Sequence, residues 1–104
     1  MSLYYNVTGS TGVTVELIAP GVTSIIKSIL LTNVHASTVA TVTLFIQDDP
    51  TSGATSTYNL IHTIAIPADT SLLLDNQSMF AFDEEFGLYI TLGSSDTVDV
   101  IINN

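Results

Sequence analysis

Ten acidic side chains and two histidines are the groups with which this 104-residue sequence could bind a metal ion or catalyse a reaction. The acids lie closest together at Asp48 and Asp49 and in the run Asp83, Glu84 and Glu85. Calcium binds such carboxylates, but neither group has the Asp-x-Asp-x-Asp-Gly spacing of an EF-hand loop. A glycosidase needs two carboxylates about 5–9.5 Å apart across a cleft, which adjacency in sequence does not indicate. We therefore predict no metal site and interpret the acids as solvated turn residues.

The histidines are not accompanied by a recognisable nucleophile. His35 lies in a polar connection, and His62 lies in a strand-like segment where alternation places it on one face with Leu60 and Ile64. We interpret His62 as a core or interface residue. The sequence contains neither a Gly-x-Ser-x-Gly nucleophile motif nor a phosphate-binding glycine loop. It predicts no enzyme, no catalytic residue and no cofactor.

Tyrosine side chains leave a carbohydrate-binding module as an alternative, because aromatic rings stack on sugars. The candidates are Tyr4, Tyr5, Tyr58 and Tyr89. Tryptophan is absent from the sequence. Buried or interface tyrosines are more common than sugar-binding ones, because the ring supplies a large apolar area and the hydroxyl finds a partner.

The charge balance excludes several classes of partner. The chain has a formal net charge of −9, and Lys27 is its only lysine or arginine. Proteins that grip a nucleic-acid backbone need several such cations to displace counterions, so we expect neither nucleic acid nor an anionic membrane as partner. Charged residues make up only 11% of the chain and hydrophobic ones 46%, which indicates a folded domain and not a disordered acidic tail.

Cysteine is absent, which excludes disulfides, thiolate zinc sites and cysteine nucleophiles. Residues 1–6 lack the basic and apolar regions of a signal peptide. The most apolar stretch, residues 25–31, is too short to span a membrane. The sequence therefore predicts a protein that is made and assembled in a cytoplasm.

Strands are the elements predicted to position these groups, because the sequence is rich in threonine, serine, valine and isoleucine. Turn-forming residues separate strand-length segments at short, even spacing. We predict one domain over residues 1–104, an all-β, antiparallel, jelly-roll-like β-sandwich with eight or nine strands. Its longest loop covers residues 48–56, and its last two strands form a hairpin. The predicted strands cover residues 3–7, 13–18, 23–33, 39–47, 58–66, 71–75, 79–82, 88–92 and 97–102.

Several predicted strands carry large apolar residues on both faces. In residues 23–33, alternation places Ile25, Ile29 and Leu31 on one face and Ile26 and Leu30 on the other. β-Bulges that shift the register explain such a pattern. Contact with another subunit also explains it, because soluble monomers rarely expose large apolar patches. On that second interpretation, the candidate interface residues are Ile26, Leu30, Phe45, Ile61, Leu73, Tyr89 and Ile101.

Residues 28–46, 64–74 and 87–101 contain a run of characteristic patterns. An apolar strand ends in Thr-Asn, a Thr-Val-Thr-Leu-Phe-Ile strand follows, an Ile-Pro-Ala turn leads into a leucine strand, and a final hairpin closes on Val-Asp-Val. In these patterns the sequence resembles small all-β virion proteins of tailed bacteriophages, above all those of marine phages such as cyanophages. The resemblance covers the chain from the third predicted strand onward and brings no catalytic residues with it.

The resemblance implies a structural protein of the virion. The first expectation is a capsid decoration or cement protein that binds the shell in many copies. A neck, tail, baseplate or fibre component is the alternative within the virion, and a carbohydrate-binding module for host attachment is the second alternative. The expected partners are the major capsid protein or other virion proteins, together with further copies of the chain itself. The expected location is the virion, after assembly in the host cytoplasm.

Overall fold

A computed structural model describes residues 2–9, 14–21, 25–48, 56–83, 85–93 and 95–104. In this part of the chain, β-branched and alternating apolar residues form eight strands, and the only helical element is a 3-10 helix at Gln77–Phe80. The strands are β1 (Ser2–Thr8), β2 (Thr14–Ile18), β3 (Ser28–Asn33), β4 (Ala40–Asp48), β5 (Thr57–Ile66), β6 (Ser71–Leu74), β7 (Phe86–Leu92) and β8 (Thr97–Asn103).

The strands form two antiparallel sheets of four strands each. Sheet 1 has the order β1-β8-β3-β6, and sheet 2 has the order β2-β7-β4-β5. Of the consecutive strands, only β4 and β5 lie in the same sheet. All the other connections between consecutive strands cross from one sheet to the other. The prediction of an all-β, antiparallel, sandwich-like fold is confirmed, and the number of strands is eight.

The core lies between the two sheets and takes one face of each strand. In β4, the side chains of Val42, Leu44 and Ile46 point inward and expose at most 7% of their surface, as the alternation predicts. Each buried methylene contributes about 0.8 kcal/mol to folding, so this layer is the main source of stability. The central strands β3, β7 and β8 bury the same kind of residue at every second position: Ile29, Leu31, Leu88, Ile90, Leu92, Val98, Val100 and Ile102.

Two predicted strands differ from the structure. Residues 79–82 do not form a strand; the chain makes the 3-10 helix instead, and Asn76 begins it by accepting a hydrogen bond from the backbone N–H of Ser78. This turn places Phe80 in the core. Of the described residues in the predicted strand at 23–33, only Ser28–Asn33 form a strand. Both errors arise because a short apolar run does not distinguish a strand from a turn.

The expected hairpin of the last two strands is wrong. Strand β7 pairs with β2 and β4 in sheet 2, whereas β8 pairs with β1 and β3 in sheet 1. The connection between them therefore crosses from one sheet to the other. Alternation identifies both strands correctly but carries no information about their partners.

Some predicted features lie outside the described residues. These are residue 13 at the start of the second predicted strand, residues 23–24 at the start of the third, residues 49–55 of the longest predicted loop, and the carboxylates of Asp49 and Glu84.

Candidate functional site

A strip of apolar side chains crosses all four strands on the outer face of sheet 1. Tyr4 in β1 lies opposite Ile101 in β8. Leu30 in β3 lies opposite Ile101 on one side and Leu73 of β6 on the other. Directly opposite residues of antiparallel strands have Cβ atoms about 4.5–5.5 Å apart. The four side chains therefore form one continuous strip, which we call the outer row.

The outer row is open to solvent. Tyr4 exposes 72% of its surface, Leu73 55% and Ile101 36%, while Leu30 at the centre is half-buried. Each alternates along its strand with residues that face the core, so the outward direction follows from the pleat of the sheet. Large contiguous apolar patches are uncommon on soluble monomers, so the outer row is the candidate contact surface of this sheet.

A polar row runs parallel to the outer row on the same face. Asn6, Asp99, Thr32 and Ser71 lie opposite one another across the four strands. The side-chain nitrogen of Asn6 donates to Oδ1 of Asp99 at 2.7 Å, and the hydroxyls of Thr32 and Ser71 are 2.9 Å apart. These groups satisfy one another, and Asp99 carries the only charge in the four strands of sheet 1.

On the outer face of sheet 2, two aromatic side chains pack against each other. Phe45 in β4 and Tyr89 in β7 lie opposite each other, with ring centroids 5.7 Å apart and an interplanar angle of 21°. We call this pair the aromatic stack. The Tyr89 hydroxyl donates to the carboxylate of Glu16 in β2 over 3.5 Å. Phe45 is half-buried and Tyr89 exposes only 6% of its surface, although both point away from the core.

Gly87 makes room for the aromatic stack. A Cβ atom at this position would lie 2.9 Å from the Tyr89 hydroxyl and 2.8 Å from both the Ile18 carbonyl oxygen and Cδ of Pro20. Non-bonded carbon atoms are ordinarily about 3.5–4.0 Å apart. Tyr89 therefore lies against a residue without a side chain, and this close approach explains its burial on an outer face.

Five of the seven predicted interface residues do lie on the outer faces of the two sheets. Leu30, Leu73 and Ile101 come together in the outer row of sheet 1, and Phe45 and Tyr89 form the aromatic stack of sheet 2. The side chains of the outer row are accessible to solvent, whereas the aromatic stack leaves Tyr89 with almost no exposed surface.

The remaining two predicted interface residues, Ile26 and Ile61, pack with the core. Ile26 exposes 3% of its surface while Ile25 exposes 76%, so the alternation is interrupted before β3 begins. Ile61 lies opposite the buried Leu44 where the register of β4 and β5 shifts. Their predicted outward orientation is wrong, because each lies beside an irregularity that moves side chains to the other face.

Asn33 is a buried polar residue that closes one end of the sandwich. It exposes 0% of its surface, and its side-chain nitrogen donates to the carbonyl oxygens of Thr38 at 2.8 Å and Ile66 at 3.0 Å. Its side-chain oxygen accepts from the backbone N–H of His35 at 3.0 Å. A buried amide without partners costs about 1–3 kcal/mol, so these bonds fix the connection between β3 and β4 against the end of β5.

Asp96 also has a structural role at this end of the sandwich. It exposes 7% of its surface, and its Oδ2 atom accepts from the backbone N–H of Thr41 at 2.9 Å. Its carbonyl oxygen accepts from the backbone N–H of Gly9 at 2.7 Å. The interpretation of the turn acids as solvated is therefore wrong for Asp96, which joins the connection before β8 to the first residue after β1 and to the start of β4.

The other carboxylates do not come together in a site within the described part of the chain. Asp48 lies at the end of β4, where its Oδ1 accepts from the backbone N–H of Ser56 at 2.7 Å. The side chains of Asp83 and Glu85 are exposed. Among the described residues, no three His, Asp or Glu side chains lie close enough together to hold a metal ion, and no pocket is present.

The two histidines are far from forming a pair. The Nε2 atom of His35 lies 2.9 Å from the carbonyl oxygen of Ser95, at the same end of the sandwich as Asn33. His62 is exposed in β5 beside Thr63, whose backbone has a φ of 48°. A core position for His62 is therefore wrong, because the irregular backbone at Thr63 breaks the alternation on which it depended.

Tyr4 and Tyr5 are adjacent in sequence and point in opposite directions. Tyr4 belongs to the outer row, whereas the hydroxyl of Tyr5 donates to the carbonyl oxygen of Leu17 at 2.5 Å and so links the edge strands of the two sheets. Burial, and to a lesser degree the nearby Glu16 carboxylate, raise the pKa of the Tyr5 hydroxyl. This tyrosine has a structural role.

The other two tyrosines lie in sheet 2. Tyr58 exposes 57% of its surface in β5 and contacts Phe86 edge to face, with centroids 5.8 Å apart. Tyr89 is in the aromatic stack. The two exposed tyrosines, Tyr4 and Tyr58, therefore belong to different sheets and do not form a common platform for a sugar.

Sequence reasoning missed Tyr4 as a member of the exposed apolar surface. The signal was present, because Leu3, Tyr5 and Val7 form the inward set of β1 and leave Tyr4 on the outward set. The alignment with Ile101 depends on the pairing of the first and last strands, which no local pattern contains.

Comparison with known proteins assigns no family. The chain matches no protein-family model, no curated protein and no solved structure. Among the described residues, no helix has the length and hydrophobicity that a membrane span requires.

Proposed function

We propose that the protein is a structural component of a tailed-bacteriophage virion, and that it binds the capsid shell in many copies as a decoration protein. The observation that carries this proposal is the outer row, which presents Tyr4, Ile101, Leu30 and Leu73 as one exposed apolar strip on a regular sheet. The sequence resemblance to small all-β virion proteins supplies the biological setting. The major capsid protein is the proposed partner.

The energetics of the outer row suit repeated, individually modest contacts. Fully burying one leucine or isoleucine side chain contributes about 1.5–3 kcal/mol. A row of four apolar residues therefore offers a contact of limited strength per copy, and simultaneous contacts between many copies and an ordered shell raise the overall avidity. Repetition on a symmetric lattice is the setting in which such a surface is effective.

The distribution of charge also favours contact through the outer face of sheet 1. The four strands of sheet 1 carry a single carboxylate, Asp99, which is hydrogen-bonded to Asn6. The formal net charge of −9 therefore resides mainly elsewhere in the chain. A docked molecule that buries the outer face of sheet 1 would keep most of its negative charge in solvent, where charge maintains solubility.

The proposed fold class is a jelly roll, which is common among viral coat proteins and lectins. The pairing of the strands supports it: β1 pairs with β8, β2 with β7, β3 with β6 and β4 with β5. This is the order produced when one long antiparallel ribbon with β4 and β5 at its tip is wound into two facing sheets. Fold alone does not define function, so the proposal depends on the outer row.

Quantitative mass spectrometry of purified virions that carry this sequence tests the proposal. We expect hundreds of copies per particle, as a shell-binding protein requires. A handful of copies would place the protein at the neck, tail or baseplate and contradict a decoration role. Absence from the particle, or specific binding to a glycan array by a protein that particles lack, would overturn the virion assignment.

A matched pair of substitutions tests the docking surface. Ile101 in the outer row and Ile64 in sheet 2 expose 36% and 39% of their surfaces. We expect Ile101→Asp to reduce incorporation into particles at least tenfold, whereas Ile64→Asp leaves incorporation near that of the unmodified chain. Circular dichroism of both variants controls for folding. Equal incorporation of the two variants would contradict the outer row as the contact.

A further inference from the structure

The two sheets have four edge strands, and three of them carry features that discourage pairing with another strand. Strand β2 has only five residues, contains the charged Glu16, and shifts its register between Glu16 and Ile18. Strand β6 has only four residues. Strand β5 is longer, but it has two register shifts and a positive φ at Thr63. Short length, charge and bulges are the means by which natural proteins protect their sheet edges.

Strand β1 has none of these features. Its seven residues, Ser2–Thr8, include no charge and no proline, and they pair with β8 in an unbroken register from end to end. In the part of the chain that the structure describes, β1 pairs only with β8, so its other edge presents backbone N–H and C=O groups in regular order. A regular, uncharged edge of this length is a template for a further strand.

We propose that the open edge of β1 pairs antiparallel with β1 of a second copy of this chain. Antiparallel pairing of a strand with itself follows a two-fold axis, so one edge supplies both sides of the contact and no other protein is required. The pairing joins two copies of sheet 1 into one eight-stranded sheet. The two outer rows then lie side by side, with Tyr4 of each copy next to the junction.

The distribution of charge favours a second copy as the partner. Two chains that each carry a net charge of −9 repel each other, so they associate best where charge is least. Three carboxylates lie near β1 and each has a partner or another face: Asp99 accepts a hydrogen bond from Asn6, the buried Asp96 accepts from Thr41, and Glu16 lies on the outer face of the other sheet. The edge itself is neutral along its whole length.

The size of the outer row favours the same arrangement. A stable protein interface buries about 800 Å² on each partner. Even a fully exposed aromatic side chain offers only about 150–250 Å². The four partly exposed side chains of the outer row therefore fall short of the area that a stable interface buries. Two copies joined through β1 present twice the row on one continuous face. The pairing therefore adds a dimer to the proposed function. Only the role of the joined face in binding the capsid shell rests on that function.

The absence of cysteine from the sequence allows a direct test on the isolated chain. Tyr4 and Asn6 are exposed, outward-facing positions of β1. A disulfide needs Cα atoms about 4.4–6.8 Å apart. A two-fold axis at residue 4 gives disulfide-linked dimers of Tyr4→Cys, and an axis at residue 6 gives dimers of Asn6→Cys. An axis at residue 5 gives a linked heterodimer when the two variants are mixed.

The matched controls are His62→Cys on the protected edge of β5 and Ile101→Cys in the outer row, one strand in from β1. We expect light scattering to show a dimer of the unmodified chain, and we expect linked dimers only with the β1 cysteines. A monomer in light scattering, or equal linkage at residue 62, would overturn the proposal. Preferential linkage at residue 101 would also overturn it, because the two copies would then be stacked face to face.

A second matched pair tests the edge by disruption. We expect Asn6→Lys in β1 to raise the dimer dissociation constant at least tenfold in analytical ultracentrifugation, because a lysine on an edge strand opposes pairing. Asn59→Lys in β5 should leave the constant unchanged. Equal effects of the two substitutions would contradict pairing through β1. Failure here leaves the copy number in the virion unaffected, so it is distinguishable from failure of the proposed function.

Discussion

The outer faces of the two sheets begin from the same sequence pattern and reach opposite outcomes. Both faces have large apolar residues at outward positions of central strands. On sheet 2, Phe45 and Tyr89 stack on each other, and Tyr89 lies against Gly87 beside Pro20, so that only 6% of Tyr89 is exposed. On sheet 1, no such cover exists among the described residues: Ile101 of the central strand β8 exposes 36% and Tyr4 of the edge strand β1 exposes 72%.

The difference shows why an outward apolar residue is not by itself an interface residue. The pleat of a strand sets the direction of a side chain, but its neighbours on adjacent strands decide whether solvent reaches it. An aromatic pair with a glycine beside it becomes a small second core. Apolar residues aligned in a row across four strands, without such cover, stay exposed to solvent.

The largest expected contrast between the faces comes from truncating one tyrosine on each. We expect Tyr89→Ala to lower the free energy of unfolding by about 3–5 kcal/mol, because it removes a buried ring from a close-packed site. Tyr4→Ala should change it by no more than about 0.5 kcal/mol, as is usual for exposed positions. Urea denaturation measures both, and similar losses from the two variants would contradict the contrast.

Gly87→Ala should have the next largest effect, a destabilisation of about 1–3 kcal/mol from overpacking. Part of the crowding is with the Tyr89 hydroxyl, 2.9 Å from the added Cβ atom. The same substitution should therefore cost less in a Tyr89→Phe background, and a double-mutant cycle measures the coupling. Additive effects of the two substitutions would mean that Gly87 does not make room for the ring.

Tyr5→Phe should lower the free energy of unfolding by about 1 kcal/mol at neutral pH, because the bond to the Leu17 carbonyl is lost. The folded state raises the pKa of Tyr5 above the unfolded value of 10.0. The contribution of its hydroxyl is therefore complete below pH 10 and is lost as the pH rises through the folded pKa. Chemical denaturation above pH 10 should show a shallower decline for Tyr5→Phe than for the unmodified chain, and an identical decline would contradict the assignment.

The smallest effect is expected within the outer row. Leu73→Ala should change the free energy of unfolding by no more than about 0.5 kcal/mol, because the side chain already faces water. Its neighbour Leu72 packs against the core, and Leu72→Ala should cost about 2 kcal/mol. Thermal or urea denaturation of the pair checks the alternation of β6, and a reversed order would place Leu73 in the core.

Local patterns in the sequence predict the strands and their inward faces well. Val42, Leu44 and Ile46 are buried in β4 as alternation requires, because period-2 burial depends on each strand alone. Ile26 and Ile61 are misplaced because the backbone is irregular beside them. Asp96 could not be identified as structural, since its hydrogen-bond partners Thr41 and Gly9 are far from it in the sequence.

The pairing of strands is the part of the fold that the sequence does not reveal. The segments of β7 and β8 look like neighbours of one sheet, yet they belong to two. For the same reason, Leu30, Leu73 and Ile101 could be proposed as interface residues singly, but their alignment with Tyr4 in one row could not. That alignment depends on contacts between residues far apart in the chain.

The position of β8 has a consequence for the order of events during synthesis. This strand lies between β1 and β3 in sheet 1, although it is the last of the eight to leave the ribosome. Its pairing with β1 joins residues as far apart as Ser2 and Asn103, and contacts of such long range slow folding. Until β8 has been synthesised, no strand lies between β1 and β3. Ile101, which connects Tyr4 with Leu30 in the outer row, is then also absent. Ile101 completes the outer row in the same step that completes the sheet, so a growing chain has no complete outer row before its fold is closed.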